Sequence, residues 1–324
     1  MVKRGIIIAN TGSPAAPTAE AVRVYLNDFL RDPRICPLPP FLWNIILKAF
    51  VLPKRSVASA QKYQMIWTEE GSPLSGCMDS LAQKLQESFL HAGDADTIVR
   101  HAMSYGEPSI YEVLAWMKQA GCEELVVIPL YPQGAYSTTL VVRDKVASAL
   151  NKLDWDPALQ LVENYSECKE YPNIIARSIL DAGFQKEKDS LLFAFHSIPM
   201  KDIDAGDIYY DLVLKSGQAI AQCLGLDEDA WQIGFQCRFD KSRKWLGPST
   251  GEAIAALSAR EGRLFVVAPN FSIDCLETCY DIEVVLKQHY LKDKPEKDEE
   301  GFIYVPCLND SDAHVALIRS IISE

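Results

Sequence analysis

Along the chain, short unbroken apolar runs alternate with stretches in which apolar residues recur every three or four positions. GIIIAN (5–10), IVRHAMSYG (98–106) and ELVVIPLYP (124–132) are of the first kind and predict buried strands. Behind Pro17-Thr18, residues Val22, Tyr25, Leu26, Phe29 and Leu30 fall at i, i+3, i+4, i+7 and i+8, one apolar helix face. Leu74, Met78, Leu81, Leu85 and Phe89 do the same after Ser72-Pro73, and PSIYEVLAWMKQAG (108–121) reads as a helix closed by glycine. Strand and helix alternating in this way predict a parallel sheet.

The grammar repeats in LQLVENY (159–165), a helix after Pro172, LLFAFH (191–196), a helix from about Tyr210 to Leu224, WQIGFQ (231–236), a helix near 250–260, LFVVAP (264–269) and a helix from about Asp274. The fold class is therefore α/β with two similar domains, expected at 1–152 and 153–310 with the boundary in KLDWDPA. KDKPEKDEEG (292–301) reads as a solvated loop, and a C-terminal helix at 311–324 can pack back onto the first domain.

Length agrees with two domains, since 324 residues exceed what one core usually holds, roughly 250. A net charge of −12 argues against partners that need a basic surface, such as nucleic acid or an anionic membrane, and favours small molecules. No export signal opens the chain and no apolar run approaches the ~20 residues of a membrane span, so a cytoplasmic location is expected. The nine cysteines then read as reduced thiols. Cys275 and Cys279 are spaced one helical turn apart and could bind a soft metal, although buried free cysteine usually serves as a small hydrophobe.

In open parallel sheets, ligands gather beyond the carboxyl ends of the strands. The informative strings are therefore NTGSPAAPT, SYGEPS, YPQGAYSTT, HSIPM, QCRF and NFSIDCLET. None contains GxGxxG, GxxxxGK[ST] or GxSxG, which disfavours dinucleotide, ATP and serine-nucleophile chemistry. His196 ends an apolar run; by itself such a histidine is more often structural, and Glu277 near a helix start is more often a cap or dipole partner. Both nevertheless fall at strand-to-helix junctions of one sheet. Asp281 lies four residues after Glu277, on the same helix face, as a solvated edge or as a line of carboxylates that passes a divalent ion or a proton. Imidazole with carboxylate suits ferrous iron and leaves most coordination positions open. CPLPPFLWNIILKAFVLPKR (36–55) carries more large apolar residues than a surface loop needs, and is either a core helix between prolines or an apolar lip for a flat ligand or a membrane surface.

In order, NTGSPAAPTAEAVRVYLNDFLRDPRI, EEGSPL, AMSYGEPSI, VVIPLYPQGAYSTT, FHSIPMKDIDAGDIYY, FQCRF, WLGPST, DCLET and VPCLNDSDAHVALI resemble the ferrochelatases, enzymes that insert ferrous iron into protoporphyrin to make heme. The resemblance covers nearly the whole chain. It implies two four-stranded parallel-sheet domains of the chelatase type around a porphyrin cleft, with His196 and Glu277 as the essential pair and His196, Glu277 and Asp281 as metal-handling groups. Thr11, Arg55, Tyr63, Ser72 and Tyr105 lie where members meet the porphyrin. Fe²⁺ is then a substrate and no cofactor is required. The cysteine-rich C-terminal extension that holds a [2Fe–2S] cluster in animal members is missing, so no cluster is expected. Protoporphyrin IX and Fe²⁺ are the implied partners, with peripheral membrane contact through 36–55, as a monomer or homodimer.

Some positions depart from the family pattern. Thr11 stands where relatives often carry Leu, Met or Tyr, Ser197 and Asn270 replace common glycines, and Cys275 stands where animal members have histidine. The alternatives are chelation of another tetrapyrrole, such as coproporphyrin III or a cobalt-accepting ring, and a non-catalytic porphyrin- or heme-binding protein.

Overall fold

The computed structural model describes residues 3–238, 243–257, 262–294 and 296–323. It contains eight strands among these residues: β1 (Arg4–Asn10), β2 (Thr97–Met103), β3 (Glu124–Pro129), β4 (Ala158–Leu161), β5 (Ser190–His196), β6 (Trp231–Gln236), β7 (Leu264–Val267) and β8 (Phe302–Val305). They form two four-stranded sheets of order β2-β1-β3-β4 and β6-β5-β7-β8, every pairing parallel. Helices flank both sheets, so the architecture is two Rossmann-like domains, as the strand–helix alternation predicts. By contacts, the chain divides into one unit of Met1–Leu130, Tyr136–Glu163 and Asp310–Val315 and another of Tyr131–Ala135, Asn164–Asn309 and Ala316–Glu324.

In the first unit, Ile6, Ile7 and Ile8 of β1 are all fully buried, the mark of a central strand covered on both faces. The helix Ala19–Leu30 starts at Thr18, whose side chain accepts from the Ala21 amide, and buries Val22, Leu26 and Leu30. Ser72 caps Pro73–His91 in the same way. Ser109 and Glu112 form a reciprocal capping box on Ile110–Gln119.

Two expectations need correction. The segment beginning at Ala158 is not the first strand of the second sheet: β4 pairs with β3, Leu125 opposite Leu159, so a boundary at 152/153 would part paired strands. KLDWDPA is the helix-to-strand turn of an ordinary β-α-β unit, with Thr139–Lys152 as its crossover helix. The strand also ends at Leu161 and is largely exposed at the sheet edge. The second sheet gains its fourth strand from β8 instead, a four-residue strand directly after the charged loop and too short for its alternation to register in the sequence.

Segment 36–55 contributes to a nearly continuous helix, Pro40–Ile46, Leu47–Val51 with π-helical bonding and Leu52–Ile66. Leu47 and Leu52 are buried, whereas Phe41 (75%) and Phe50 (67%) are mostly exposed, with Leu42 and Ile45 beside them. Neither reading of this segment holds alone: Leu47 and Leu52 anchor it, Trp43 is partly buried with its indole N–H on the Leu30 carbonyl, and Phe41, Leu42, Ile45 and Phe50 face outward. Among the described residues no helix is long and apolar enough to cross a membrane.

In the second unit, Leu191, Leu192, Phe193, Ala194 and Phe195 of β5 are fully buried between β6 and β7. Leu192 and Ala194 join Leu264, Val266, Ala268, Ala253 and Ile282 in one core cluster. A rigid, dry strand of this kind holds its last residue, His196, in a defined place.

Candidate active site

His196 ends β5 with its backbone fixed from two sides. Tyr209 Oη, from the helix Tyr209–Leu224, donates to the His196 carbonyl at 2.9 Å. The next amide, of Ser197, donates to the Gln236 carbonyl at 2.8 Å. Ser197 is fully buried, and its Oγ donates to the Leu246 carbonyl at 2.8 Å while the Leu246 amide donates to Ile198 at 3.0 Å. A glycine here would lose the hydroxyl that ties the strand exit to the segment around Leu246.

The imidazole orientation follows from one contact, Nδ1 to the Ser197 carbonyl at 2.7 Å. A carbonyl only accepts, so Nδ1 carries the proton and the neutral ring has its lone pair on Nε2. Phe271 flanks the ring, centroids 6.3 Å apart. Burial pushes the His196 pKa below the ordinary histidine value; the charge of Glu277, the Ser197 carbonyl and the charge of Asp281 pull the other way without reversing it. The imidazole is therefore neutral at pH 7, a base close enough to two carboxylates to feel both.

Those carboxylates sit on Glu277–Leu286, which is π-helical and is followed by the helix Lys287–Asp293. Helical structure thus starts three residues later than the expected Asp274, in the wider i→i+5 form that often accompanies functional sites. Asp274 instead anchors the turn ahead of it. Its Oδ1 accepts from Tyr304 Oη (2.5 Å) and Thr278 Oγ1 (2.8 Å), and its Oδ2 accepts from Asn309 Nδ2 (2.7 Å). The Asp274 amide donates back to Asn309 Oδ1 at 2.8 Å. Sequence reasoning missed this hub, because its partners lie 30 and 35 residues away and no local pattern joins them.

Burial, and after it the charge of Glu277, pushes the Cys275 thiol well above its ordinary range. It stays protonated at neutral pH and is a poor proton relay. Cys237, held at φ 63°, brings its Sγ to 3.6 Å from Asp281 Oδ2. Among the described residues, no three His, Cys, Asp or Glu side chains converge closely enough to cage an ion. His196, Glu277 and Asp281 are thus neighbours by charge without forming a three-ligand cage, and Cys275 with Cys279 completes no soft-metal site.

The five expected porphyrin contacts lie in the first unit. Thr11 and Tyr105 come together: the Tyr105 amide donates to the Thr11 carbonyl at 2.8 Å, and the Ser104 amide to Asn10 at 2.8 Å. Gly12, at φ +102°, lets these loops touch, since a Cβ there would fall 1.8 Å from the Tyr105 carbonyl oxygen. The Tyr105 ring meets Phe29 edge-on at 5.2 Å, and Lys145 Nζ lies 4.5 Å from its centroid. Arg55 and Tyr63 share the helix Leu52–Ile66, with Tyr63 buried against Trp67 at 6.0 Å. Ser72 is buried and its hydroxyl is engaged as a helix cap. Of the QCRF string, Phe239 lies outside the described residues.

Comparison with known proteins bears on this arrangement. The family description "Ferrochelatase" matches residues 3–324. The chain is 38% identical to a ferrochelatase of Aromatoleum aromaticum over 322 residues, 99% of this chain and 87% of that protein. It is 38% identical to one of Vibrio cholerae over 323 residues, 99% of this chain and 97% of that one. It is 34% identical to a coproporphyrin III ferrochelatase of Streptococcus mutans, covering 99% and 98%. Among solved structures, SirB from Bacillus subtilis with Fe³⁺ superposes with a TM-score of 0.56 at 11% identity, over 100% of this chain and 95% of that one, a likeness of fold.

Proposed function

The chain belongs to the ferrochelatase family of metal chelatases, lyases that act on a tetrapyrrole and iron, and from that premise we propose that it inserts Fe²⁺ into protoporphyrin IX with release of two protons. The observation that carries the proposal is His196 itself: a neutral imidazole at a rigid strand tip, its Nδ1 proton given to the Ser197 carbonyl and its Nε2 lone pair available for chemistry, within the field of Glu277 and Asp281.

Metallation must remove two pyrrole protons, exchange water on the metal for ring nitrogens and bend the macrocycle toward the metal. His196 Nε2 accepts the two pyrrole protons in turn, passing on the first before it takes the second. The imidazolium so formed is stabilised by the adjacent carboxylates, and the proton passes along Glu277 and Asp281, which also steer Fe²⁺ inward. Contacts to the ring periphery from Thr11, Arg55, Tyr63 and Tyr105 supply the binding energy that bends it. Iron is substrate, no cofactor is required, and no iron–sulfur cluster takes part.

The decisive experiment is anaerobic incubation with Fe²⁺ and protoporphyrin while following the porphyrin spectrum. Wild type metallates and His196→Ala does not; normal metallation by the variant refutes the mechanism. Because a depressed histidine pKa keeps the base form to lower pH, activity should persist below the ordinary histidine range before falling. A coproporphyrin III chelatase is the second reading, supported by the Streptococcus mutans relative; Thr11 in place of tyrosine favours protoporphyrin, and relative turnover on the two rings decides. A carrier without chelatase activity would bind the ring and leave Fe²⁺ outside it. The protein acts in the cytoplasm, touching a membrane surface through the exposed side chains of 38–50.

A further inference from the structure

Two buried amides beside His196 have no part in the chemistry above. In the β5–β6 ladder His196 pairs with Gln236, and residues paired across a parallel ladder project to the same face from backbones about 4.8 Å apart. The alternation is visible one residue earlier, where Phe195 and Phe235 bring their rings to 6.4 Å on the opposite face. Two residues earlier, Ala194 and Gly234 lie against the helix Thr250–Ala256, where a Cβ on Gly234 would meet Thr250 Cα at 2.8 Å. Gln236 therefore stands next to His196, one layer above that packed floor. On the other flank, Leu264, Val266 and Ala268 belong to the same core cluster, and the chain then turns through Asn270, closed by the Phe271 amide on the Ala268 carbonyl at 3.0 Å. That turn sets Phe271 against the imidazole.

Gln236 is 9% exposed and Asn270 8%. Gln236 Nε2, a donor, and Asn270 Oδ1, an acceptor, are buried with no hydrogen-bond partner among the described residues. Buried polar groups without partners are rare in native proteins, and one on each flank of a candidate base calls for ligands that accept on one side and donate on the other.

Building on the assignment of His196 to the metallation site, we propose that Gln236 and Asn270 hold water ligands of the incoming divalent metal from its two sides, Asn270 Oδ1 accepting from one water's O–H and Gln236 Nε2 donating to another's oxygen. A water bound to a metal keeps two O–H donors and one lone pair, so it can meet either amide. Neither amide is charged, so neither competes strongly with ring nitrogens for Fe²⁺, and neither titrates. As four ring nitrogens replace water on the metal, two pyrrole protons depart, the iron stays ferrous, and the released waters are left on the amides.

The test is steady-state kinetics of Gln236→Met and Asn270→Gly with Fe²⁺ varied anaerobically, beside protoporphyrin affinity measured without metal by fluorescence quenching. Each variant is expected to raise KM for Fe²⁺ about three- to tenfold, the loss of about one hydrogen bond, with porphyrin Kd unchanged. A weakened porphyrin Kd with an unchanged Fe²⁺ KM assigns the amides to the ring and overturns the proposal, as does no change in either constant. Glycine suits the turn at 268–271, so Asn270→Gly still reads the result if Gln236→Met fails to fold. His196→Ala separates the two levels. If it metallates, the assignment of His196 falls; if it is inactive while both amide variants keep the wild-type KM, only the amide pair falls.

Discussion

Tyr304→Phe isolates the contribution of the Asp274 hub to the candidate site. Tyr304 is partly buried, desolvation pushes its phenol pKa well above the ordinary tyrosine value, and its Oη donates to Asp274 Oδ1. Replacement by phenylalanine removes this donor and almost no apolar area. Thr278 and Asn309 still hold the carboxylate, so the loss is one hydrogen bond to a carboxylate, about 1.5–3 kcal/mol. At 1.4 kcal/mol per factor of ten, local opening of the turn ahead of the π-helix should become about ten- to a hundredfold more frequent. Hydrogen exchange of a peptide spanning 272–284 reads this directly, because the Cys275 amide bonds Thr278 Oγ1 at 2.9 Å and the Cys279 amide bonds the Cys275 carbonyl at 2.9 Å. A double-mutant cycle with Asp274→Asn should show coupling of order 1 kcal/mol. Exchange within about twofold of wild type, or strictly additive losses in the cycle, would refute the hub; no two-state unfolding of the whole chain need be assumed.

Gly12→Ala should destabilise the first unit by more than about 2 kcal/mol, since a Cβ at φ +102° would overlap the Tyr105 carbonyl; a thermal midpoint equal to wild type would show that the loops can part. Asp189 is 2% exposed and pairs with Arg263 at 3.0 Å; burial acts to raise its pKa, but bonds from the Arg263 side chain and amide and from the Gln185 amide outweigh it, and the net shift is downward. Its stabilisation is therefore complete above the unfolded carboxylate value, about 3.9, and lost as pH falls through the lower folded value, so the stability gap between wild type and Asp189→Asn should be widest near neutrality and close in acid. A gap that does not depend on pH would contradict this. Phe41→Ser with Phe50→Ser should reduce partitioning onto liposomes while leaving metallation in detergent intact; equal partitioning would remove 38–50 as the contact surface.

What was legible in the sequence depended on how far apart the cooperating residues lie. The apolar run of β5 and the periodicity of Val22, Leu26 and Leu30 are local, and both elements stand where periodicity predicts them. β4 was legible as a strand but not in its partnership: an exposed four-residue edge has no pattern that says which sheet it joins, and only its pairing with β3 decides. β8 was hidden for a similar reason, with a charged loop before it and only four residues of its own. Ser72 shows an ambiguity of another kind. Serine before Pro73 is both a capping signal and a family motif position, and the structure shows its hydroxyl in the cap.

The candidate site divides along the same line. His196 was legible because an apolar run pointed at it, and Glu277 with Asp281 because their spacing put them on one face, which π-helical bonding preserves. The groups that hold them were not: Tyr209 reaches the His196 carbonyl from 13 residues on, Ser197 reaches Leu246 across 49, and Asp274 reaches Tyr304 and Asn309 across 30 and 35. Each of these contacts fixes backbone at a strand exit or a turn, where the rigid sheet ends and nothing periodic continues. Candidate site residues on such exits are held by distant partners because local bonding has run out there. Substitutions at Tyr209, Ser197 or Tyr304 should therefore disturb the placement of His196 and Glu277 more than equally conservative changes inside β5, although none of the three carries the chemistry.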